Sequence, residues 1–213
     1  DPETIDYDND YFPHKVTPEF SEHWDITYHN TYKILTNTQT EPHTSWLLYQ
    51  CGSEPPASEA DKHQGSFEVP LQDGIVLSTS THLTHLEQLG IRRQLKGMIG
   101  SVNWINSPCF KTLRDEGLFV GISDLDQFLV EHPKAAVIQT SGNHSNVIHF
   151  SGRYEAESKD IYEWHKVFGA LFNIENLANK QFYESAFRFD CAADNADYLL
   201  SQRRRTSEVE FKK

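Results

Sequence analysis

The sequence predicts an α/β lobe: a mostly parallel central sheet flanked by helices, with an amino-terminal β-hairpin and a long carboxyl-terminal helix. Three observations predict it. Between Phe67 and Phe150 compact apolar strands alternate with short helical stretches, the pattern of βαβ units. Ahead of them, WDITYHNTYKILT (Trp24 to Thr36) alternates apolar and polar residues and is rich in β-branched and aromatic side chains. From Lys159 to about Leu200 there is no proline and the only glycine is Gly169, while apolar residues recur at helical spacing.

The elements follow in order. Residues 1–23 form an irregular acidic arm; its start, DPETIDYDNDYFP, has neither the basic end nor the apolar run of a signal peptide or a transit peptide. Residues 24–155 make the lobe. Its hairpin turns at His29-Asn30, TSWLLYQC (Thr44 to Cys51) is a further strand, and GSEPPASEADKHQG is a polar loop. Phe67 to Val69 is extended and Gly74 to Ser78 is a buried strand. Ser80 or Thr81 can then cap a helix carrying Leu83, Leu86 and Leu89 on one face and stopped by Gly90. Leu95 to Val102 reads as a strand and Leu118 to Ile122 as a short extended piece. Asp124 to Glu131 is a helix capped by Ser123, and Ala135 to Thr140 and Val147 to Phe150 are strands. Residues 156–213 read as one long helix whose stripe is Ile161, Trp164, Val167, Phe168, Leu171, Phe172, Leu177, Phe182, Ala186 and Phe189. NIEN (Asn173 to Asn176) is the natural place for a break.

Bulk properties exclude several function classes. A net charge of −12 opposes unaided nucleic-acid binding, which needs basic surface to displace counterions. The one basic run, Arg203 to Arg205, reads as a solvated helix end. No apolar run is long enough to cross a bilayer, so no membrane insertion is expected. Cys51, Cys109 and Cys191 form no CxxC pair, which argues against a structural zinc site; one disulfide with a thiol left over and three free thiols both remain open. GxSxG, Walker A, HExxH and GxGxxG are all absent, so the expectation is no enzyme and no cofactor.

Four segments carry a family resemblance. EVPLQDGIVLSTSTHLTHLEQLGIRRQLKGMIG (Glu68 to Gly100) resembles the "VPL" strand, Ser/Thr-rich turn, "LEALG" helix and following strand of the class III substrate-binding proteins. These serve ABC importers of iron-siderophore complexes and cobalamin. WINSPCF (Trp104 to Phe110) is similar to the family's aromatic-x-x-S-P segment, and SDLDQFLVEHPKAAVI (Ser123 to Ile138) to its "NLE.LLALKPDLV" helix and strand. YEAESKDIYEWHKVFGALFNIENLANKQF (Tyr154 to Phe182) resembles the entry into the helix that links its two lobes. The four run in family order over about two thirds of the chain. They depart from it where "TPLG" is replaced by Glu157-Ser158-Lys159-Asp160.

The resemblance implies a Rossmann-like amino-terminal lobe followed by the linking helix, with the second lobe absent from these residues. It implies an extracytoplasmic, periplasmic or secreted protein that binds an iron complex, a haem-like or a corrinoid ligand, with an ABC permease or a second-lobe chain as partner. An alternative is a single lobe repurposed as a structural or interaction subunit of an extracellular or membrane-associated assembly.

The candidate site residues sit on loops after strands. Ser78, Ser80, Thr81 and His82 occupy a strand-to-helix turn whose amides and hydroxyls suit anionic or oxygen-rich ligands, although simple capping accounts for the same hydroxyls. His82 and His85 share a helical face, but a metal would need further ligands, and solvated or hydrogen-bonded histidines are the simpler reading. Trp104, with Ser107, could stack on a flat ligand or anchor its loop. Arg153 could meet an anionic complex, or pair with Glu155 or Glu157, and Tyr154 adjoins it. Asp126 matches the family's lobe-one carboxylate that docks on the permease. Asn143-His144-Ser145 is a glycosylation sequon, which would make a secreted eukaryotic product a glycoprotein.

Overall fold

Alternation of apolar side chains builds the first sheet. Strands β1 (Trp24–Tyr28), β2 (Tyr32–Asn37), β3 (Thr44–Gln50) and β4 (Gly65–Val69) lie in the order β1-β2-β3-β4, antiparallel up to β3 and then parallel. The computed structural model describes residues 5–39, 41–139, 142, 144–149 and 152–210, the side chains of Arg153 and of 204–210 excepted. Register pairs Ile26 with Leu35 and Leu35 with Trp46, so one face is continuously apolar. The hairpin turns where expected, with His29 N–H donating to Tyr32 C=O at 2.8 Å. The Phe67 to Val69 segment joins this sheet rather than the parallel one.

The second sheet holds β5 (Ile75–Leu77), β6 (Leu95–Ile99), β7 (Val120–Ile122), β8 (Ala136–Gln139) and β9 (Val147–His149), all parallel, in the order β7-β6-β5-β8-β9. The chain steps outward through β6 and β7, then returns to the other side of β5. This doubly wound order creates a switch point between β5 and β8. Its central strands are buried on both faces, which explains their unbroken apolar runs. Ile75, Leu77, Ile138 and Ile148 face a large core shared with the first sheet, whereas Val76, Val137 and Val147 pack with Ile122 and Leu129.

Helix α1 (Leu83–Gln88) follows β5, α2 (Pro108–Asp115) follows β6, and α3 (Leu125–Glu131) follows β7. No element predicted above answers to α2. Its buried face is only Phe110 and Leu113, and its clearest local signal is Pro108 at the first helical position. Two expected caps shift by one or two residues. Thr79, not Ser80 or Thr81, caps the short turn that leads into α1, and Asp124, not Ser123, caps α3, accepting from Gln127 N–H at 3.0 Å.

The carboxyl-terminal region is less continuous than its periodicity predicts. It divides into α4 (Ser158–Glu163), α5 (His165–Leu171) and α6 (Glu175–Glu210), so the long helix starts at Glu175 rather than near 156. The expected break at NIEN is real: Asn173 adopts φ 54°, a left-handed conformation that stops α5. Ile161, Leu177 and Phe189 fall on the expected stripe yet are exposed, while Lys166 and Glu163 are wholly buried.

These buried charges bind the amino-terminal arm and hairpin to the helices. Glu163 accepts backbone N–H groups of Glu19, Phe20 and Ser21 at 2.8–2.9 Å and pairs with Lys166 at 2.8 Å. Lys33 on β2 donates to Glu175 at 2.5 Å and to Asn173 at 2.9 Å. Phe12 and Val16 complete the seal, so the arm is irregular but packed.

Candidate functional site

Parallel strands send all their following loops to one edge, and in a doubly wound sheet ligands bind where the order reverses. Here that point is the turn after β5. Ser78 N–H donates to Ile138 C=O at 3.0 Å, stitching the turn to β8. Thr79 is extended (φ −141°, ψ 145°); its hydroxyl accepts from Thr81 N–H at 3.4 Å and lies 3.1 Å from the Thr81 hydroxyl. Ser80 and Thr81 are exposed, so their groups face solvent at the head of α1.

His82 sits differently from the rest of the turn. It is buried, its ring 6.0 Å from that of Phe168, and burial pulls its pKa down to about 4. It belongs to the core beneath the turn and is not presented on it. His85 is buried beside it and held neutral by the same desolvation, reinforced by the two neighbouring histidines. Neither is a solvated histidine.

The loop after β6 carries Trp104, the most exposed tryptophan of the chain at 78%, in a short turn (Val102–Trp104) capped by Ser101. Ser107 is half-buried, and its hydroxyl donates to Glu87 on α1 at 3.3 Å, tethering the Trp104 loop to the helix that bears the Ser/Thr turn. Glu87 also pairs with Arg92. After β9, Tyr154 is exposed, and its carbonyl meets the His23 imidazole at 3.2 Å. The topology therefore brings Ser78, Ser80, Thr81, Trp104, Ser107 and Tyr154 to one edge of the sheet. The Arg153 side chain and Asn143 lie outside the described residues. Asp126 is exposed on the first turn of α3, where its charge suits the helix dipole.

A second polar region lies at the opposite end of the sheet, where the chain enters β8 and β9. Tyr49, His63, Glu68, Lys134 and Asn146 line a cavity of about 360 Å³ along the edge strand β4. Ser45 Oγ lies 2.7 Å from His63 Nδ1, and Glu59 lies 3.4 Å from Nε2. The Cys51 thiol is pushed up by its hydrogen bond to Glu68, with burial adding to the effect. Sequence reading missed this cluster because its members come from four separate segments.

All three cysteines are free thiols. Among the described residues no group of three or more His, Cys, Asp or Glu side chains is arranged to hold a metal ion, and no helix is long and apolar enough to cross a membrane. No protein-family model, curated protein or solved structure matches this chain.

Proposed function

We propose that this chain is a non-enzymatic binding lobe of the class III substrate-binding type, acting in an extracytoplasmic space. It takes an iron complex, a haem-like or a corrinoid ligand and hands it to an ABC importer. One observation carries the reading: exposed hydroxyls of Ser80 and Thr81 share the carboxyl edge of a doubly wound sheet with the exposed rings of Trp104 and Tyr154. Hydroxyls and turn amides suit an oxygen-rich anionic ligand, and the flat rings suit a conjugated one. Asp126, exposed on α3, is the docking carboxylate in this reading. An open edge covers only one side of a ligand, so the isolated lobe binds weakly.

The test is a fluorescence and absorbance titration of the chain with haemin, cyanocobalamin and a ferric tris-catecholate. Saturable binding of one of them, weakened about tenfold by Trp104→Ala, supports the reading. Binding of none, or binding indifferent to Trp104, sinks it.

The stretch of α6 from 187 to 203, exposed throughout, favours a second reading, a lobe serving as an interaction subunit. Phe187, Tyr198, Leu199 and Leu200 are apolar side chains exposed along it, and exposed apolar surface marks contact sites. Light scattering of the purified chain separates the two readings: a monomer that binds ligand speaks for the carrier, a stable assembly that binds none for the subunit.

A further inference from the structure

The contact between α1 and α5 is built from histidines. His85 Nδ1 lies 3.3 Å from His165 Nδ1, and His165 Nε2 lies 2.9 Å from Gln181 Oε1 on α6. Gln181 Nε2 donates to the Gln88 carbonyl of α1 at 2.8 Å. That last bond settles the rest. It orients the Gln181 amide, so Oε1 must accept the proton of His165 Nε2. Neutral His165 then has a bare Nδ1, which accepts from His85 Nδ1–H. The result is a closed, directed relay running from α1 to α5 to α6 and back to α1.

A further proton on His165 breaks the direction of this relay. Added to Nδ1, it either leaves two donors facing each other or forces the His85 proton over to Nε2, and in both cases it puts positive charge in a buried site. Among the described residues no carboxylate is paired with His165 to absorb it. Tyr162 of α4 stacks on His165 at 5.2 Å and donates to the Gln88 side chain at 2.6 Å. Phe168 of α5 stacks on His85 at 5.0 Å, and His82 lies 6.3 Å from His85. The nearby charged groups point elsewhere: Glu87 to Arg92 and Ser107, and Glu163 and Lys166 to each other and the amino-terminal arm. Desolvation lowers the proton affinity of all three imidazoles.

We propose that His82, His85 and His165 form an acid-operated latch: neutral imidazoles hold α1 against α5 and α6, and proton uptake releases that grip and loosens the Ser78–Thr81 turn at the head of α1. Leu83 and Leu86 keep α1 anchored in the core, so the motion is a loosening of the helix head and not its departure. The latch goes beyond the ligand reading and stands without it. If the turn does hold a ligand, mild acid weakens its seat.

Amide hydrogen exchange, corrected for the intrinsic pH dependence, tests the latch on the intact chain. Peptides covering 79–89 are expected to lose protection between pH 6.5 and 4 while those covering β2 and β3 keep theirs. His165→Gln, which removes one of the three protonation sites, is expected to flatten the pH dependence of α1 protection, leaving the part carried by His82 and His85. Nuclear magnetic resonance titration of the wild-type imidazoles guards against a variant that misfolds: three resonances titrating below the ordinary histidine range, together with shifts in α1, support the latch. Protection of 79–89 that is independent of pH, an unchanged response in folded His165→Gln, or ordinary histidine titration overturns it.

Discussion

Lys33 Nζ lies 2.5 Å from Glu175 Oε1, and neither side chain reaches solvent. The central strand of the hairpin sheet thus grips the first turn of α6. Phe12 lies under the ammonium at 4.5 Å, and Asn173 Oδ1 accepts a second hydrogen bond from it at 2.9 Å. Burial pulls the Lys33 pKa down to about 8 against the opposing pull of Glu175, so the pair is what keeps a charge tolerable there. Removing one partner leaves the other charge stranded, which costs about 3–5 kcal/mol. Glu175→Ala is expected to show that loss in urea denaturation at pH 7, and Lys33→Met with Glu175→Leu to recover most of it. A Glu175→Ala midpoint within error of wild type refutes the assignment.

Glu163 is the anchor of the amino-terminal arm. Its carboxylate accepts three consecutive backbone N–H groups, Glu19 to Ser21, besides the Lys166 ammonium. Glu163→Ala leaves those donors without their acceptor and the buried Lys166 with only the Thr17 carbonyl and the Glu19 carboxylate, at an expected cost of about 3 kcal/mol. Hydrogen exchange reads the local effect: residues 19–21 lose protection first. Equal protection of those amides in variant and wild type would exclude the anchoring role.

Stability is expected to fall with acid along a predictable course. The His82 pKa is lowered from 6.5 to about 4 by burial, and those of His85 and His165 are lowered too. Between those limits the unfolded chain binds protons that the folded chain refuses. The stability is therefore fully present above about pH 6.5 and declines as pH falls toward 4. His82 alone accounts for about 3 kcal/mol of that decline at its full extent. Urea midpoints measured from pH 7.5 to 4 should slope accordingly, with a shallower slope for His82→Phe. An identical slope in that variant would remove His82 from the account.

Gly169 lets α5 and α6 approach closely, because a β-carbon there runs into that of Ala178. Gly169→Ala is expected to lower stability by about 1–3 kcal/mol through overpacking, despite the better helix propensity of alanine. Ala178→Gly added to it should return part of the loss by restoring the volume. Thermal melts of the single and double variants check this, and a single variant more stable than wild type counts against the close approach.

Local periodicity made much of the fold legible. β3, β5, β8, α1 and the turn around His29 can all be read from runs of a few residues, because alternation and helical spacing are properties of neighbours along the chain. Gly90, at φ 72°, ends α1 where a glycine was needed. The loops carrying Trp104 and the Ser/Thr turn were readable too, since both follow apolar strands. α2 escaped because eight residues with two buried side chains give too little period to read. His165 escaped because, between Trp164 and Lys166, nothing marks it apart from any other residue of an apolar helix.

The sequence by itself determined the α/β class, the parallel strands and the presence of a long terminal helix, all consequences of short-range pattern. Tertiary structure alone decided that the extended strands divide into two sheets, and that Lys33, Lys166 and Glu163 belong inside. It also turned His82 from the solvent edge toward His85 and Phe168. The reason is physical: burial of a charge or an imidazole depends on partners brought from far along the chain, as Lys33 meets Glu175 and His85 meets His165. No local period encodes such a meeting; packing two distant apolar faces together creates it.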